Sequence, residues 1–120
     1  MKQIQNWTPV IASFLEKLTN QGATLDAYCN GEDDEVKIDQ SLNIDDQIDI
    51  IAVAINEVDV GEVFIRVPGE RRRHYILIVL GNEPEEIVAD HSDHAIIDRA
   101  WELHAKEWIT KKVPTQESPY

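Results

Sequence analysis

Cysteine is all but missing from this chain: Cys29 is the only one among 120 residues, so no internal disulfide can form and a reducing compartment suits it. Long apolar runs are missing too. The two longest, residues 50–55 and 75–80, hold six residues each, against the ~20 that a membrane-spanning helix needs. The opening residues MKQIQNW contain no apolar core of signal-peptide length, and together these absences lead to the expectation of a cytoplasmic protein that does not enter a membrane. Positive charge is scarce: 11 Lys and Arg stand against 23 Asp and Glu, a formal net charge of −12 with a pI near 4.5. That balance argues against direct binding to bare DNA, RNA or an anionic membrane, all of which need positive surface. There is no Gly-x-Ser-x-Gly elbow, phosphate-binding glycine loop or His-Glu-x-x-His helix. No cofactor is implied, and the expectation is a non-enzyme.

What is present suits one folded unit. Apolar residues make up 42% and charged residues 28%, the composition of a globular domain rather than a disordered chain. At this length a single domain over residues 1–112 is expected, with Pro114 ending the last helix and 113–120 as a flexible tail. Thr8 as N-cap, Pro9 behind it and the stripe Ile11, Phe14, Leu15 and Leu18 predict a helix that stops at Asn20 and Gly22. Residues 24–29 alternate, with Leu25, Ala27 and Cys29 on one face. Asn30-Gly31 opens a turn, and Val36 and Ile38 alternate on the return, which predicts a β-hairpin. Asn43 three residues before Asp46 resembles a capping box, and Ile44, Ile48, Ile51, Ile55 and Val58 follow at helical spacing over 44–58. Strands are expected over 62–67, over 75–80 as a central strand covered on both sides, and over 86–90. A last helix begins near Ser92 or Asp93 and carries Ile97, Trp101, His104 and Trp108 along one side. The order α-β-β-α-β-β-β-α describes an α+β domain, an antiparallel sheet of about five strands with helices packed on it.

The charge is distributed unevenly. Twelve acidic residues lie between Asp26 and Glu62 against one basic residue, Lys37, so this stretch carries −11 and the remainder only −1. The residues expected to form a partner-binding surface are Glu32, Asp33, Asp34, Glu35, Asp39, Asp45, Asp46, Asp49, Glu57 and Asp59. Such a face has a plain reading as a solvated surface that keeps the protein soluble. It has a sharper one as an occupant of a basic, nucleic-acid-binding surface on a partner protein. Duplex DNA carries one charge per ~1.7 Å of axis, so eleven charges match roughly 19 Å of duplex. The preferred expectation is therefore an acidic binding protein, an inhibitor or nucleic-acid mimic.

The other clusters carry weaker signals. Arg71, Arg72 and Arg73, after Arg66 and before His74, form the one basic cluster and are expected as a secondary contact to phosphate or carboxylate groups, on a partner or on a second copy in a self-associating structural protein. Asp39-x-Ser41-x-Asn43-x-Asp45 has calcium-loop spacing but puts Ile44 where glycine is needed and Ile50 where the bidentate glutamate belongs. His91 and His94, with Asp98 a turn beyond, are the metal-type candidates, and a small metal-binding domain or metal-dependent enzyme centred on them is the alternative function. His104 reads as a satisfied, half-buried histidine among tryptophans, and Cys29 as an inert buried thiol.

Overall fold

The computed structural model describes residues 6–31, 34–81 and 87–112, so Glu32, Asp33 and the tail expected over 113–120 lie outside the described residues. The first helix, α1 (Thr8–Asn20), begins at Thr8 itself. Thr8 therefore belongs to the first turn instead of capping it. Trp7 holds the N-cap position without a side-chain bond, and the Oδ1 of Asn6 accepts the Thr8 N–H at 3.1 Å. Pro9 falls in the first turn, where its missing N–H has no intrahelical partner to lose. Val10, Ile11, Phe14, Leu15 and Leu18 are buried as the periodicity predicts, and Gly22 takes the left-handed φ of +102° that turns the chain out of the helix.

The hairpin forms from β1 (Thr24–Asn30) and the two-residue β2 (Val36–Lys37). Its expected facing is wrong beyond Leu25. Against the next strand, β3 (Val60–Arg66), Leu25 opposes Ile65 but Ala27 opposes Phe64, so Asp26 is an extra residue, a β-bulge. The bulge shifts the alternation by one. Tyr28 then opposes Val63 and packs on the core, while Cys29 opposes Glu62 on the other face of the sheet.

The second helix, α2 (Ile44–Val58), forms as the sequence predicts, with the Oδ1 of Asn43 accepting the Asp46 N–H at 2.8 Å. Gln47, Ile48, Ile51, Ala52 and Ile55 are buried, whereas Ile44 and Val58, expected in the stripe, are exposed at the two ends. Asp59 closes the helix in the left-handed conformation, and β3 follows directly. Gly61 is required here, because a Cβ would lie 2.7 Å from both the Cys29 carbonyl oxygen and the Ile55 side chain.

Strand β3 pairs with β4 (Arg73–Val79), which pairs with β5 (Val88–His91), and the sheet is antiparallel throughout in the order β2-β1-β3-β4-β5. The α+β class and element order are those the sequence predicts. Helix α2 packs on β1 and β3, and α1 packs on α2 and on α3 (Ala95–Lys112). The apolar run in β4 is not covered on both sides. Ile76 and Ile78 are fully buried, while Tyr75 and Leu77 are half-buried and Val79 is exposed on the opposite face. Helix α3 starts later than expected, because Ser92 is taken up elsewhere: its Oγ accepts the Tyr75 N–H at 3.0 Å. His94 supplies the start instead. Its Nδ1 accepts the Ile96 N–H and its carbonyl accepts from Ile97 and Asp98. Among the described residues no helix is long and apolar enough to cross a membrane.

Candidate functional site

Among the described residues the acidic side chains do not gather on one face. Strand register puts Arg66 opposite Arg73 on the side of the sheet away from the helices, and the bulge delivers Asp26 to both. Asp26 accepts from Arg66 Nε at 3.2 Å and from Arg73 at 3.4 Å. Glu35, returning from the hairpin loop, takes Arg73 in a two-pronged pair at 2.8 and 2.6 Å. The Arg73 guanidinium also lies 4.2 Å above the Phe64 ring. Hydrogen bonding to Arg73 holds the Glu35 carboxyl below the usual glutamate range, and the same pairing raises Arg73. Two of the hairpin-side acids are thus neutralised within the molecule. The expected basic cluster is broken up with them: Arg73 is folded inward, while Arg71 and Arg72 stay exposed at the turn.

Cys29 sits on this same face, half-buried, its thiol pushed up first by burial and then by Glu62. A raised thiol is a poor nucleophile at neutral pH. Asp39 is engaged locally, accepting both the N–H and the hydroxyl of Ser41, which lowers its carboxyl. With Asn43 used as a cap, the calcium-type spacing over 39–45 is a loop leading into α2.

Helix α2 holds the rest. Its sheet-facing side is Ile48, Ile51 and Ile55, so at 100° per residue Asp46, Asp49, Ile50, Val53 and Glu57 point the other way. Ile50 and Val53 are 41% and 42% exposed, apolar groups set among carboxylates. Among the described residues, Asp45, Asp46, Asp49 and Glu57 make no ion pair, and α2 contains no basic residue in its last turn. Asp45 and Asp49 also rim a groove of about 340 Å³ shared with α1 and α3, lined further by Pro9, Ala12, Ile48 and Trp108 and by Glu16 and Glu107. Lys17 reaches Glu107 at 2.5 Å and Glu16 at 3.5 Å across its edge.

The histidines are redistributed as well. His91 and His94 do not face a common point. His91 donates from Nδ1 to the Ser92 carbonyl and turns Nε2 toward Asp98 at 3.8 Å. His94 turns instead to Glu70, with Nε2 2.8 Å from Oε2, and His74 Nε2 lies 2.8 Å from the other oxygen of the same carboxylate. Glu70 and His74 carried no role in the sequence reading. Their four-residue spacing spans a strand turn, not a helix, so the β3–β4 turn brings them together. His104 is fully buried, bonded through Nδ1 to the Ser13 hydroxyl and ringed by Phe14, Trp101 and Trp108. No protein-family model, curated protein or solved structure matches this chain, so its function rests on the geometry of these sites.

Proposed function

We propose that this protein is a non-enzymatic acidic binding protein that occupies a basic, nucleic-acid-binding surface of a partner, through the outer side of α2. The observation that carries the reading is the composition of that side: Asp46, Asp49 and Glu57, without ion-pair partners among the described residues, interleaved with the exposed Ile50 and Val53. Ile50 and Val53 are three residues apart and so adjoin on the helix surface, a small apolar strip between carboxylates that a partner can cover. Glu57 also sits at the negative end of the helix dipole, where a carboxylate is unfavourable and a cation would be favoured. A lysine- and arginine-rich partner supplies what is missing: positive charge for the carboxylates and apolar side-chain stems for Ile50 and Val53. The groove beside Asp45 and Asp49 has the acid rim and apolar lining to take a single long cationic side chain from the same partner.

The test uses residues whose reversal leaves the helix start intact. Asp45 and Asp46 lie in the first turn, where acids are favourable, so Asp49→Lys with Glu57→Lys is the cleaner variant. Immobilised protein incubated with host lysate is expected to retain a partner that elutes as salt rises and is displaced by duplex DNA. The double variant is expected to lose it. Retention unchanged in the variant, or indifferent to DNA, overturns the reading.

A further inference from the structure

We propose that Glu70, His74 and His94 form a binding site for a divalent transition-metal ion, with zinc the simplest occupant. The site shares no residue with the α2 face. Two separate features of the fold build it. The turn between β3 and β4, with Gly69 at a φ of +86°, brings Glu70 back beside His74 at the start of β4. His94, the residue before α3, closes the triangle from the next layer. The three donor atoms all lie within 4.8 Å of one another, and the two imidazole rings meet edge to face with centroids 4.8 Å apart.

Burial gives the cluster an inside and an outside. The His74 and His94 side chains are 11% and 19% exposed, whereas Glu70 is 40% exposed. The imidazoles are thus held by the fold, and the carboxylate stands on the solvent side, where an ion enters. Two neutral imidazole nitrogens and one carboxylate are a donor set for zinc and similar first-row ions, leaving a fourth position for water. Calcium and magnesium, which take oxygen ligands, are poorly served by it. A tetrahedral ion with bonds near 2.0–2.1 Å holds its donors about 3.3 Å apart. By rotation of side chains, the two 2.8 Å contacts to Glu70 therefore open slightly and the wider donor separation, within 4.8 Å, closes.

The proton on His94 supplies a specific signature. Its Nδ1 accepts the Ile96 N–H, so the ring proton resides on Nε2 and is donated to Glu70. An ion on Nε2 requires that proton to move to Nδ1, and the Ile96 amide then loses its acceptor. Metal binding is in this way written into the first turn of α3, and the bound ion ties the β3–β4 turn to that helix.

The experiment uses the full chain, stripped with chelator and dialysed. Titration with Zn²⁺ by calorimetry is expected to show one equivalent bound, with Co²⁺ giving the absorption of a low-symmetry site. A hundredfold excess of Zn²⁺ over its Kd should raise Tm by about 10 °C. Because His94 also starts α3, the deciding variants are His74→Ala and Glu70→Gln, each expected to weaken binding at least tenfold. His91→Ala should bind as the parent does, and the Ile96 amide resonance should shift on Zn²⁺ addition. Absence of saturable binding by either ion, equal affinity in His74→Ala, or loss of binding in His91→Ala overturns the proposal.

Discussion

One residue, Asp26, decides how the hairpin side of the molecule is used. As the extra residue of the bulge it reaches Arg66 and Arg73, and Arg73 in turn gathers Glu35. The pairing lowers the Glu35 carboxyl, so its contribution is complete above the ordinary glutamate value and is lost as pH falls through the depressed one. Glu35→Gln is therefore expected to lower the urea midpoint at pH 7, and the gap to the parent should close as pH falls through the depressed value. Surface exposure of the pair keeps that effect small. Gly61 has the opposite character, a buried position where only close approach matters. Gly61→Ala is expected to cost about 1–3 kcal/mol in denaturant unfolding, since Ile55 or the β1 backbone must move aside. Neither residue announces its role in the sequence. Asp26 looks like one more member of an acidic run, because a bulge has no local signature in Leu-Asp-Ala-Tyr.

Elements were more legible than their ends. The 3.6-residue spacing of Ile48, Ile51 and Ile55 fixes α2, and Asn43 three residues before Asp46 fixes its start, both local patterns that need no partner to be read. Asn43→Ala is expected to cost about 1 kcal/mol of stability by thermal or urea unfolding, the usual loss for an N-cap, with little change in fold. Helix α3 shows the limit. Ser92 and Asp93 are better caps than His94 by propensity, yet β5 runs on to His91 and Ser92 serves the Tyr75 amide across the sheet. A tertiary hydrogen bond overrides a local preference there, and the imidazole takes the capping role. The same event aims His94 at Glu70, so the candidates chosen by spacing along the chain separate: His91 keeps Asp98 at 3.8 Å, while His94 joins Glu70 and His74.

Across the whole molecule the acidic charge divides between opposite sides. Helix α2 lies on the covered face of the sheet with its carboxylates turned outward, and Asp26 and Glu35 lie with the arginines on the uncovered face. The α2 carboxylates repel one another and pair with no cation among the described residues, whereas the proposed complex depends on their field. Raising salt from about 0.1 M to 1 M shortens the Debye length from ~10 to ~3 Å and should act with opposite signs. The free protein's Tm is expected to rise as self-repulsion is screened, and partner affinity to fall as attraction is screened. A parallel decrease of both, measured by thermal unfolding and by binding on the same preparation, would remove the α2 face as the attractive surface.

The sequence by itself determined the α+β class, the order of elements, the helical core stripes and the excess of negative charge over 26–62. Those properties are written in spacing and composition, which act over a few residues at a time. Tertiary structure alone decided which carboxylates are left without cations, which face Cys29 takes, and that Glu70, His74 and His94 converge. The bulge and the register it sets turn Cys29 and deliver Asp26 to the arginines, and the path into α3 carries His94 to the β3–β4 turn; both join segments far apart in the chain, where no local pattern reaches.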